Sequence, residues 1–344
     1  MLESILITGG VGFIGSNFVE YFVNKYQKYF IINLDKLTYA GSENNLSKVS
    51  LKDNYKFIHG DICDKELIKR IFNEYNVKNV INFAAETHVD NSILNPDEFI
   101  YTNVIGTFSL INTAKEHWLN EPFIYKEGYK NSRFHHISTD EVYGSLDNDK
   151  DFFTESSPYA PNSPYSAAKA SSDFIVRSFN RTYGLNTIIT NCSNNYGPKQ
   201  HNEKFIPTII KMALSGKQIP IYGDGMNIRD WLFVTDHCNA LDLVFHNGKF
   251  GETYNIGGEC EKPNIEVAES ICKILDELKP KKDGTSYTTQ VTFVKDRPGH
   301  DKRYAINCKK IKKELGWRVN TSFMDGLKET ILWYISNIDY YEIY

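Results

Sequence analysis

The segment Ile5–Gly15 constrains the fold of this chain more than any other feature. It reads Ile-Leu-Ile-Thr-Gly-Gly-Val-Gly-Phe-Ile-Gly, so that Gly9, Gly12 and Gly15 stand between an apolar run and a helical pattern. In a strand-turn-helix unit, the first glycine permits a tight turn and the second lets the backbone approach a pyrophosphate at the helix N-terminus. The third glycine lets the helix pack closely against the strand. The segment therefore predicts a dinucleotide-binding βαβ unit.

Short apolar runs alternate with helical patterns through the first two thirds of the 344 residues. The predicted strands are Ser4–Thr8, Phe30–Leu34, Lys56–His59, Asn79–Phe83, Arg133–Ser138 and Thr187–Asn191. The predicted helices are Ile14–Lys28, Asp64–Tyr75, Pro96–Trp118 and Ser163–Thr182. Strands that alternate with helices of this length form a parallel sheet covered on both faces. We therefore expect an α/β fold with a doubly wound, parallel, Rossmann-type sheet.

The second part of the chain is richer in loops and predicts a smaller α/β domain at the C-terminus. Its predicted elements are the helices Phe205–Leu214, Val267–Leu278 and Met324–Ile335 and a last strand of the main sheet, Thr253–Ile256. We expect residues 1–195 with about 231–257 to form the NAD-binding domain. Residues 196–230 with 258–344 would form the substrate-binding domain.

Composition excludes several classes of function. The net charge of −4 and the absence of a long basic patch argue against nucleic acid as a partner. Six cysteines without a CxxC pair or a metal-like spacing predict reduced thiols in a cytoplasmic protein and no metal site. The chain has no apolar run of 18 residues that would predict a membrane span. We expect no signal peptide, because the first predicted strand already starts near Ser4.

Asp35 ends the second predicted strand, twenty residues after Gly15. A carboxylate there would accept hydrogen bonds from ribose hydroxyls and repel a 2′-phosphate, which favours NAD over NADP. The alternative is a structural turn or cap aspartate. Asp61 is expected to flank the adenine or to cap the following helix, and the small Ala84 and Ala85 would let the cofactor lie against the strand ends. The other candidate cofactor contacts are Phe13, Ile14, Lys36, Leu37, Thr38, Ile62 and Thr102.

The segment Ser138–Gly144 places a hydroxyl and two adjacent carboxyls after an apolar run, and Tyr165 and Lys169 follow four positions apart. A tyrosine with a pKa near 10 is a poor base at neutral pH, and lowering the pKa to about 7 takes about 4 kcal/mol. An ammonium about 4 Å away supplies about that much at an effective dielectric constant near 20. Lys169 at i+4 would lie on the same helix face. The alternative is two amphipathic residues on a helix surface.

Together these motifs resemble the extended short-chain dehydrogenase/reductases, and more closely their nucleotide-diphosphate-glucose 4,6-dehydratases. The segments that carry the resemblance are Thr8–Gly15, Ala84–Asp90, Ser138–Gly144, Tyr165–Lys169, Asn194–Pro198, Asn227–Trp231 and Asp296–Tyr304. Two positions depart from the family pattern. Thr87 replaces the more usual serine and keeps its hydroxyl, and Gly257–Glu261 replaces a more Asn-rich sequence.

The resemblance implies a redox-neutral dehydration of a nucleotide-diphosphate glucose to its 4-keto-6-deoxy product. Tyr165 would take the proton of the sugar O4 while a hydride leaves C4 for NAD. Glu141 would then remove the C5 proton as general base, and a protonated Asp140 would donate to the departing C6 hydroxyl. Thr139 would hydrogen-bond near O4. Return of the hydride to C6 and of a proton to C5 completes the reaction.

The resemblance also implies the substrate contacts and the assembly state. The implied substrate-binding residues are Thr87, Thr139, Asn194, Lys204, Phe205, Pro220, Ile221, Tyr222, Arg229, Asn264, Arg297 and His300. Asn195 would touch the cofactor. The long helices near Pro96–Trp118 and Ser163–Thr182 would pair in a homodimer. The sequence shows only that they carry apolar positions beyond one core face, such as Phe99, Ile100, Phe108, Phe174 and Phe179.

Several alternatives stay open on the sequence. A sugar-nucleotide epimerase or decarboxylase shares the glycine loop and the Tyr-x-x-x-Lys pair but lacks the Asp-Glu pair. A GDP-mannose dehydratase usually lacks an aspartate at the position of Asp140. The sequence does not decide between dTDP-glucose and UDP-glucose as substrate. A non-catalytic NAD-binding regulator would be expected to have lost Tyr165 or Lys169, and both are present.

Overall fold

The structure, a computed structural model, describes residues 2–146, 148, 150–296 and 299–338. Its strands in chain order are β1 (Glu3–Thr8), β2 (Tyr29–Asp35), β3 (Tyr55–His59), β4 (Asn79–Asn82), β5 (Leu119–Glu121), β6 (Ile124–Tyr125), β7 (Arg133–Thr139), β8 (Thr187–Cys192), β9 (Asn194–Tyr196), β10 (Ile219–Tyr222), β11 (Ile228–Phe233), β12 (Thr253–Ile256), β13 (Glu261–Pro263) and β14 (Val291–Val294). The seven predicted strands match β1, β2, β3, β4, β7, β8 and β12 to within one residue at each end.

Seven of these strands form one parallel sheet in the order β12-β8-β7-β4-β1-β2-β3. From β1 the chain first builds outward through β2 and β3, and then returns to the other side of β1 with β4. Thr8, at the end of β1, is therefore in register with Leu34 on one side and Asn82 on the other. A reversal of this kind opens a crevice at the carboxyl ends of the strands, where open α/β sheets bind ligands. The predicted doubly wound Rossmann-type fold is confirmed.

The helices cover this sheet and build the C-terminal part of the chain. In chain order they are α1 (Phe13–Lys25), α2 (Lys65–Tyr75), α3 (Val89–Leu94), α4 (Pro96–Phe99), α5 (Thr107–Trp118), α6 (Pro164–Tyr183), α7 (Phe205–Leu214), α8 (Val234–Asn247), α9 (Asn264–Leu278), α10 (Lys309–Leu315) and α11 (Phe323–Ser336). The predicted helix ends agree to within one residue for α2, α6, α7 and α11. Helix α1 ends three residues before its predicted end, because Tyr26 adopts an extended conformation.

Sequence analysis missed four helices, α3, α4 as a separate element, α8 and α10. Helix α8 follows β11 directly, without a polar boundary that would mark its start. Between α4 and α5, residues Ile100–Gly106 form a π-helix, so the predicted continuous helix Pro96–Trp118 is helical throughout but changes its hydrogen-bond pattern. Such π segments often occur at functional sites.

Buried apolar side chains form one cluster on each face of the main sheet and a third in the C-terminal part. Phe18 of α1 and Leu241 of α8 lie in the first cluster, and Phe72 of α2 and Phe134 of β7 lie in the second. The third cluster joins α7, α9 and α11 around β11.

The predicted domain boundaries stay a prediction. Among the described residues, no helix is long and apolar enough to cross a membrane.

Truncation of a core side chain tests this packing. Phe134 is fully buried in β7, the third strand of the seven, and Phe134→Ala is expected to lower the free energy of unfolding by about 3–5 kcal/mol through lost burial and a cavity. Phe250 is 52% exposed, and Phe250→Ala should change it by about 0.5 kcal/mol or less. Urea denaturation of both variants measures the difference, and equal losses would contradict the assignment of Phe134 to the core.

Candidate active site

A cavity of about 300 Å³ opens at the carboxyl ends of the parallel strands. Its size is within the range of small-molecule binding sites. The predicted site residues that line it are Gly9, Gly12, Phe13, Ile14, Gly15, Asp35, Lys36, Thr38, Asp61, Ile62, Ala84, Ala85, Thr87, Thr102, Thr139, Asp140, Glu141, Tyr165, Lys169, Asn194, Asn195 and Lys204. Residues from distant parts of the chain therefore meet here because their strands end at one edge of the sheet.

The glycine loop between β1 and α1 is shaped by close backbone contacts. Gly9 has a φ of +72°, and a Cβ atom there would lie 2.5 Å from the backbone nitrogen of Ala84. A Cβ atom on Gly15 would lie 2.2 Å from the carbonyl oxygen of Gly9. Gly12 precedes the first residue of α1, and no side chain caps that helix N-terminus. The helix end is therefore open toward the cavity and suited to the diphosphate of a dinucleotide.

Asp35 lies at the end of β2 and supports the glycine loop. Its carboxylate accepts hydrogen bonds from the backbone nitrogens of Val11 at 3.0 Å and Leu37 at 2.9 Å. Burial raises the pKa of Asp35, and these hydrogen bonds oppose that effect. The side chain therefore has the structural role that sequence analysis kept as the alternative, and it also lines the cavity, where its carboxylate fits ribose hydroxyls.

An ion pair lines the cavity beyond the ends of β2 and β3. Lys36 Nζ lies 2.9 Å from the Asp61 carboxylate, which also accepts from the backbone nitrogen of Cys63. The pKa of Asp61 is lowered, because these partners outweigh its burial. Asp61 does not cap the next helix. That role belongs to Asp64, which accepts from the first backbone nitrogens of α2.

Asn103 positions one wall of the cavity from the π-helix. Its side chain accepts from the backbone nitrogen of Glu86 at 2.8 Å and donates to the Glu86 carbonyl at 3.0 Å. Thr102 beside it lines the cavity. Sequence reasoning found Thr102 and missed both Glu86 and Asn103, since only the π-helical geometry brings them together.

Thr139 ends β7 and organises the two carboxyls that follow. Its hydroxyl oxygen accepts from the backbone nitrogen of Glu141 at 3.3 Å and lies 3.4 Å from a carboxyl oxygen of Asp140. The chain turns there into a short 3₁₀ helix, Asp140–Tyr143. The turn places the hydroxyl and the two carboxyls side by side at the strand end.

The Asp140 carboxyl is almost completely buried, at 1% exposure. Burial raises its pKa well above the usual range, and the neighbouring Glu141 and Asp230 raise it further, whereas Arg229 acts in the opposite direction. Its Oδ2 atom has no hydrogen-bond partner among the described residues. Burial of this kind favours the protonated form of the carboxyl, which can donate a proton.

Tyr165 and Lys169 lie on one face of α6 and both line the cavity. Lys169 Nζ donates to the carbonyl oxygen of Ile137 at 2.7 Å. In the protein alone, burial raises the pKa of Tyr165, the Glu141 carboxylate adds to this, and a hydrogen bond with Thr139 opposes it. This direction is opposite to the lowered tyrosine pKa that the Tyr-Lys spacing predicts, because burial disfavours the charged phenolate and the Glu141 carboxylate lies nearby.

Not every predicted residue reaches the cavity. Leu37 packs against the core beside the glycine loop instead of lining the cavity. The predicted substrate contacts that lie outside its lining are Phe205, Pro220, Ile221, Tyr222, Arg229, Asn264 and His300. Ile221 is buried in the C-terminal core, and Arg297 lies outside the described residues. Their substrate roles stay a prediction.

One of these residues, Arg229 on β11, nevertheless lies close to Asp140. Arg229 is 5% exposed, donates to the carbonyl oxygen of Asp301 at 3.0 Å and stacks on the ring of Tyr304. It lies near enough to influence the pKa of Asp140. His300 pairs with Asp296 at 2.6 Å. The C-terminal part of the chain thus approaches the acid from β11.

Sequence reasoning missed further lining residues. They are Leu34, Ala40, Gly41, Gly60, Phe83, Glu86, Ile137, Ser138, Cys192, Ser193, Gln200, His201 and Glu203. Most adjoin a predicted site residue at a strand end, so the strand boundaries were a usable signal for them. No motif marks the segment from Gln200 to Glu203. The next residue, Lys204, donates from Nζ to the carbonyl oxygen of Thr87 at 2.8 Å.

Known proteins share this architecture and much of the sequence. A family model described as GDP-mannose 4,6 dehydratase matches residues 6–330. The dTDP-glucose 4,6-dehydratase of Neisseria meningitidis MC58 is 52% identical to this chain, and the match covers 98% of this chain and 94% of that protein. The dTDP-glucose 4,6-dehydratase 1 of Escherichia coli K12 is 51% identical, and the match covers 97% of this chain and 93% of that protein.

Solved structures agree with this comparison. The dTDP-glucose 4,6-dehydratase of Bacillus anthracis in complex with NAD has a TM-score of 0.86 and 45% identity, covering 99% of both chains. The Thermotoga maritima UDP-glucose 4-epimerase has a TM-score of 0.83 and only 28% identity, covering 97% of this chain and 99% of its own. The chain therefore belongs to the family of nucleotide-sugar 4,6-dehydratases.

Proposed function

We propose that this protein is an NAD-dependent dTDP-glucose 4,6-dehydratase, a hydro-lyase that forms a 4-keto-6-deoxy sugar nucleotide for deoxysugar synthesis of the rhamnose type. One observation carries the proposal: a deeply buried Asp140 with a raised pKa stands beside Glu141 in a cavity that also holds Tyr165 and Lys169. Two adjacent carboxyls of opposite protonation state suit an elimination, in which one proton is taken and another is given.

The residues of the glycine loop fit NAD. The open N-terminus of α1 beyond Gly12 suits the diphosphate, and Asp35 offers a carboxylate to the ribose. Bound NAD would accept the hydride from C4 of the sugar and return it to C6. A solved relative that is 43% identical, the dTDP-glucose 4,6-dehydratase DesIV of Streptomyces venezuelae, has NAD and TYD bound, which supports NAD as the cofactor of this protein.

The side chains of this protein would move the protons. Tyr165 takes the proton of the sugar O4, assisted by the nearby ammonium of Lys169 and the positive charge of the bound cofactor, which together offset the burial of the phenolate. Thr139 hydrogen-bonds the same oxygen. The 4-keto group makes the C5 proton acidic, so that Glu141 can remove it while Asp140 protonates the departing C6 hydroxyl.

The first prediction concerns the substrate. Purified protein incubated with dTDP-glucose should develop the alkali-induced absorbance of a 4-keto sugar, and UDP-glucose should give a weaker signal because the similar relatives act on dTDP-glucose by name. An equal or stronger signal with UDP-glucose would favour the UDP-glucose 4,6-dehydratase alternative. Formation of a 4-epimer without keto sugar would favour an epimerase, the activity named for one structural neighbour. No product at all would favour a non-catalytic NAD-binding regulator.

The second prediction separates oxidation from elimination. Asp140→Asn and Glu141→Gln should each lower the rate of dehydration by about 10²–10⁴-fold, since each removes one proton transfer. Oxidation at C4 should persist in part, so that reduced nicotinamide accumulates after mixing with substrate and is read by its absorbance. Asp283→Asn, in an exposed loop, is the matched control and should behave like the unaltered protein.

The pH dependence follows from the same assignment. Asp140 acts in its protonated form, so dehydration should slow as the pH rises through its raised pKa.

Full 6-deoxy product formation by both carboxyl variants, Asp140→Asn and Glu141→Gln, would rule out the acid/base assignment.

We also propose that the protein is a homodimer formed through α4, α5, α6 and the π-helix. Ile100, Phe108 and Phe174 are 47%, 37% and 55% exposed on these helices and leave an apolar face for a second copy. Phe99 and Phe179, which the sequence suggested for the same face, are buried within the chain. A cytoplasmic location is proposed from the six free thiols.

A charge in this face tests the dimer. Ile100→Glu should convert the protein to a monomer, because a carboxylate buried between two apolar faces is costly. Phe250→Glu, at another exposed phenylalanine, should leave the mass unchanged. Light scattering during gel filtration measures the mass, and an Ile100→Glu protein that remains dimeric would exclude these helices as the interface.

A further inference from the structure

A buried polar network surrounds Lys169, and the proposed proton transfers leave most of it without a role. Ser172 and Asp173 follow Lys169 on α6 by three and four positions, so they lie near it on the helix surface. His136 on β7 lies against them. The Lys169, Asp173 and His136 side chains are 4%, 1% and 1% exposed, so their charges are shielded from solvent and act strongly on one another.

The hydrogen bonds of Asn82 assign the proton of the His136 ring. Asn82 Oδ1 accepts from the Thr8 hydroxyl at 2.6 Å, which leaves its amide nitrogen 3.1 Å from His136 Nδ1. Nδ1 must therefore accept, and the neutral ring carries its proton on Nε2. Nε2 lies 3.0 Å from the Ser172 hydroxyl and 3.4 Å from a carboxylate oxygen of Asp173.

His136 stays neutral beside a cation. Its Nε2 atom lies 3.5 Å from Lys169 Nζ, and burial together with the charge of Lys169 lowers the pKa of His136 to about 4. The imidazole therefore fills the space beside the ammonium without adding a second positive charge. Lys169 remains directed at the carbonyl oxygen of Ile137 on the same strand.

Asp173 supplies negative charge in the same interior. Its Oδ2 atom accepts hydrogen bonds from the Ser138 hydroxyl at 2.9 Å and the Tyr159 hydroxyl at 3.0 Å. Its Oδ1 atom faces His136 and has no hydrogen-bond partner among the described residues. Burial lowers the pKa of Lys169, and Asp173 opposes that effect. A carboxylate buried this deeply is costly unless a cation balances it.

The other titratable groups around this pair are neutral near pH 7. Cys192 faces Lys169 from β8, and burial raises the pKa of its thiol to about 12. Tyr143 and Tyr159 lie near Asp173 from the segment after β7, and burial raises the pKa of both phenols. Tyr165 lies one turn earlier on α6, and its pKa is raised as well. Asp173 is therefore the carboxylate that balances Lys169.

We propose that Asp173 and His136 are positioning residues for the dehydratase reaction: Asp173 provides the counter-charge of the Lys169 ammonium, and the neutral ring of His136 on β7 packs beside that ammonium without adding a second positive charge. The inference rests on the proposed function for the step that it serves. The coupling between the two charges, however, is a property of the folded chain and can be measured without turnover.

A double-mutant cycle measures this coupling. Asp173→Asn should lower the melting temperature by about 5 °C or more, because it leaves the buried ammonium unbalanced. In a Lys169→Met background the same change should cost much less, since no cation remains to be balanced. If Asp173→Asn alone does not fold, the double variant should fold. Equal losses in both backgrounds, or failure of both proteins to fold, would overturn the proposal.

Asp242 offers a matched control for this cycle. It is a second buried aspartate, 3% exposed, that contacts a histidine and a lysine, His246 and Lys25, and it lies outside the cavity lining. Asp242→Asn should lower the melting temperature by the same amount whether position 169 is lysine or methionine. A loss that depended on position 169 would show that the cycle does not report a local pair.

Kinetics with dTDP-glucose test the positioning role. In Asp173→Asn the pKa of Lys169 should fall, so the alkaline limb of the kcat profile should move to lower pH by about one unit, with kcat about tenfold lower and KM within about twofold. His136→Gln keeps a donor and should retain more activity than His136→Ala. An unmoved alkaline limb would overturn the role. If the unaltered protein has no dehydratase activity, the proposed function fails, and the unfolding cycle still decides the charge coupling.

Discussion

The parallel direction of the seven main strands is the constraint on which the proposed site depends, because all their carboxyl ends meet at one edge. The cavity is lined by the glycine loop after β1, by Asp35 at the end of β2, by Thr139 at the end of β7 and by Asn194 after β8, which come from distant parts of the chain. Hydrogen bonds between adjacent strands fix the register of the strands, so these residues line one cavity. The reversal of strand order between β1 and β4 opens the space that the cavity occupies.

Burial is the second physical theme, and it acts in opposite directions on acids and bases. It raises the pKa of Asp140 and of Tyr165, and it lowers the pKa of Lys169 and His136. A raised pKa suits Asp140, which is proposed to donate a proton. It does not suit Tyr165 as a base, so the tyrosine depends on positive charge nearby, and a charged Lys169 in turn depends on a carboxylate. The proposed role of Asp173 follows from this chain of requirements.

Much of the fold and of the proposed site was predictable from local patterns. The alternation of apolar runs and helical patterns predicted the strands of the main sheet, and the glycine loop predicted the orientation of the first helix. Prediction was weaker in the C-terminal part, where β11 passes into α8 without a boundary signal and short strands pair with distant partners. Contacts that depend on tertiary geometry were missed, such as the pairing of Asn103 with the backbone of Glu86.

The sequence by itself determined the class of fold and the chemical groups of the site. Strand and helix periodicities are local, and the spacing of Tyr165 and Lys169 places both on one helix face. Only the tertiary structure decided how each group is charged, because burial and neighbours from other strands set a pKa. It showed that Asp140 is buried beside Glu141, which raises the pKa of its carboxyl. It also brought His136 of β7 against Lys169 and Asp173 of α6, a contact between two elements that no sequence spacing reveals.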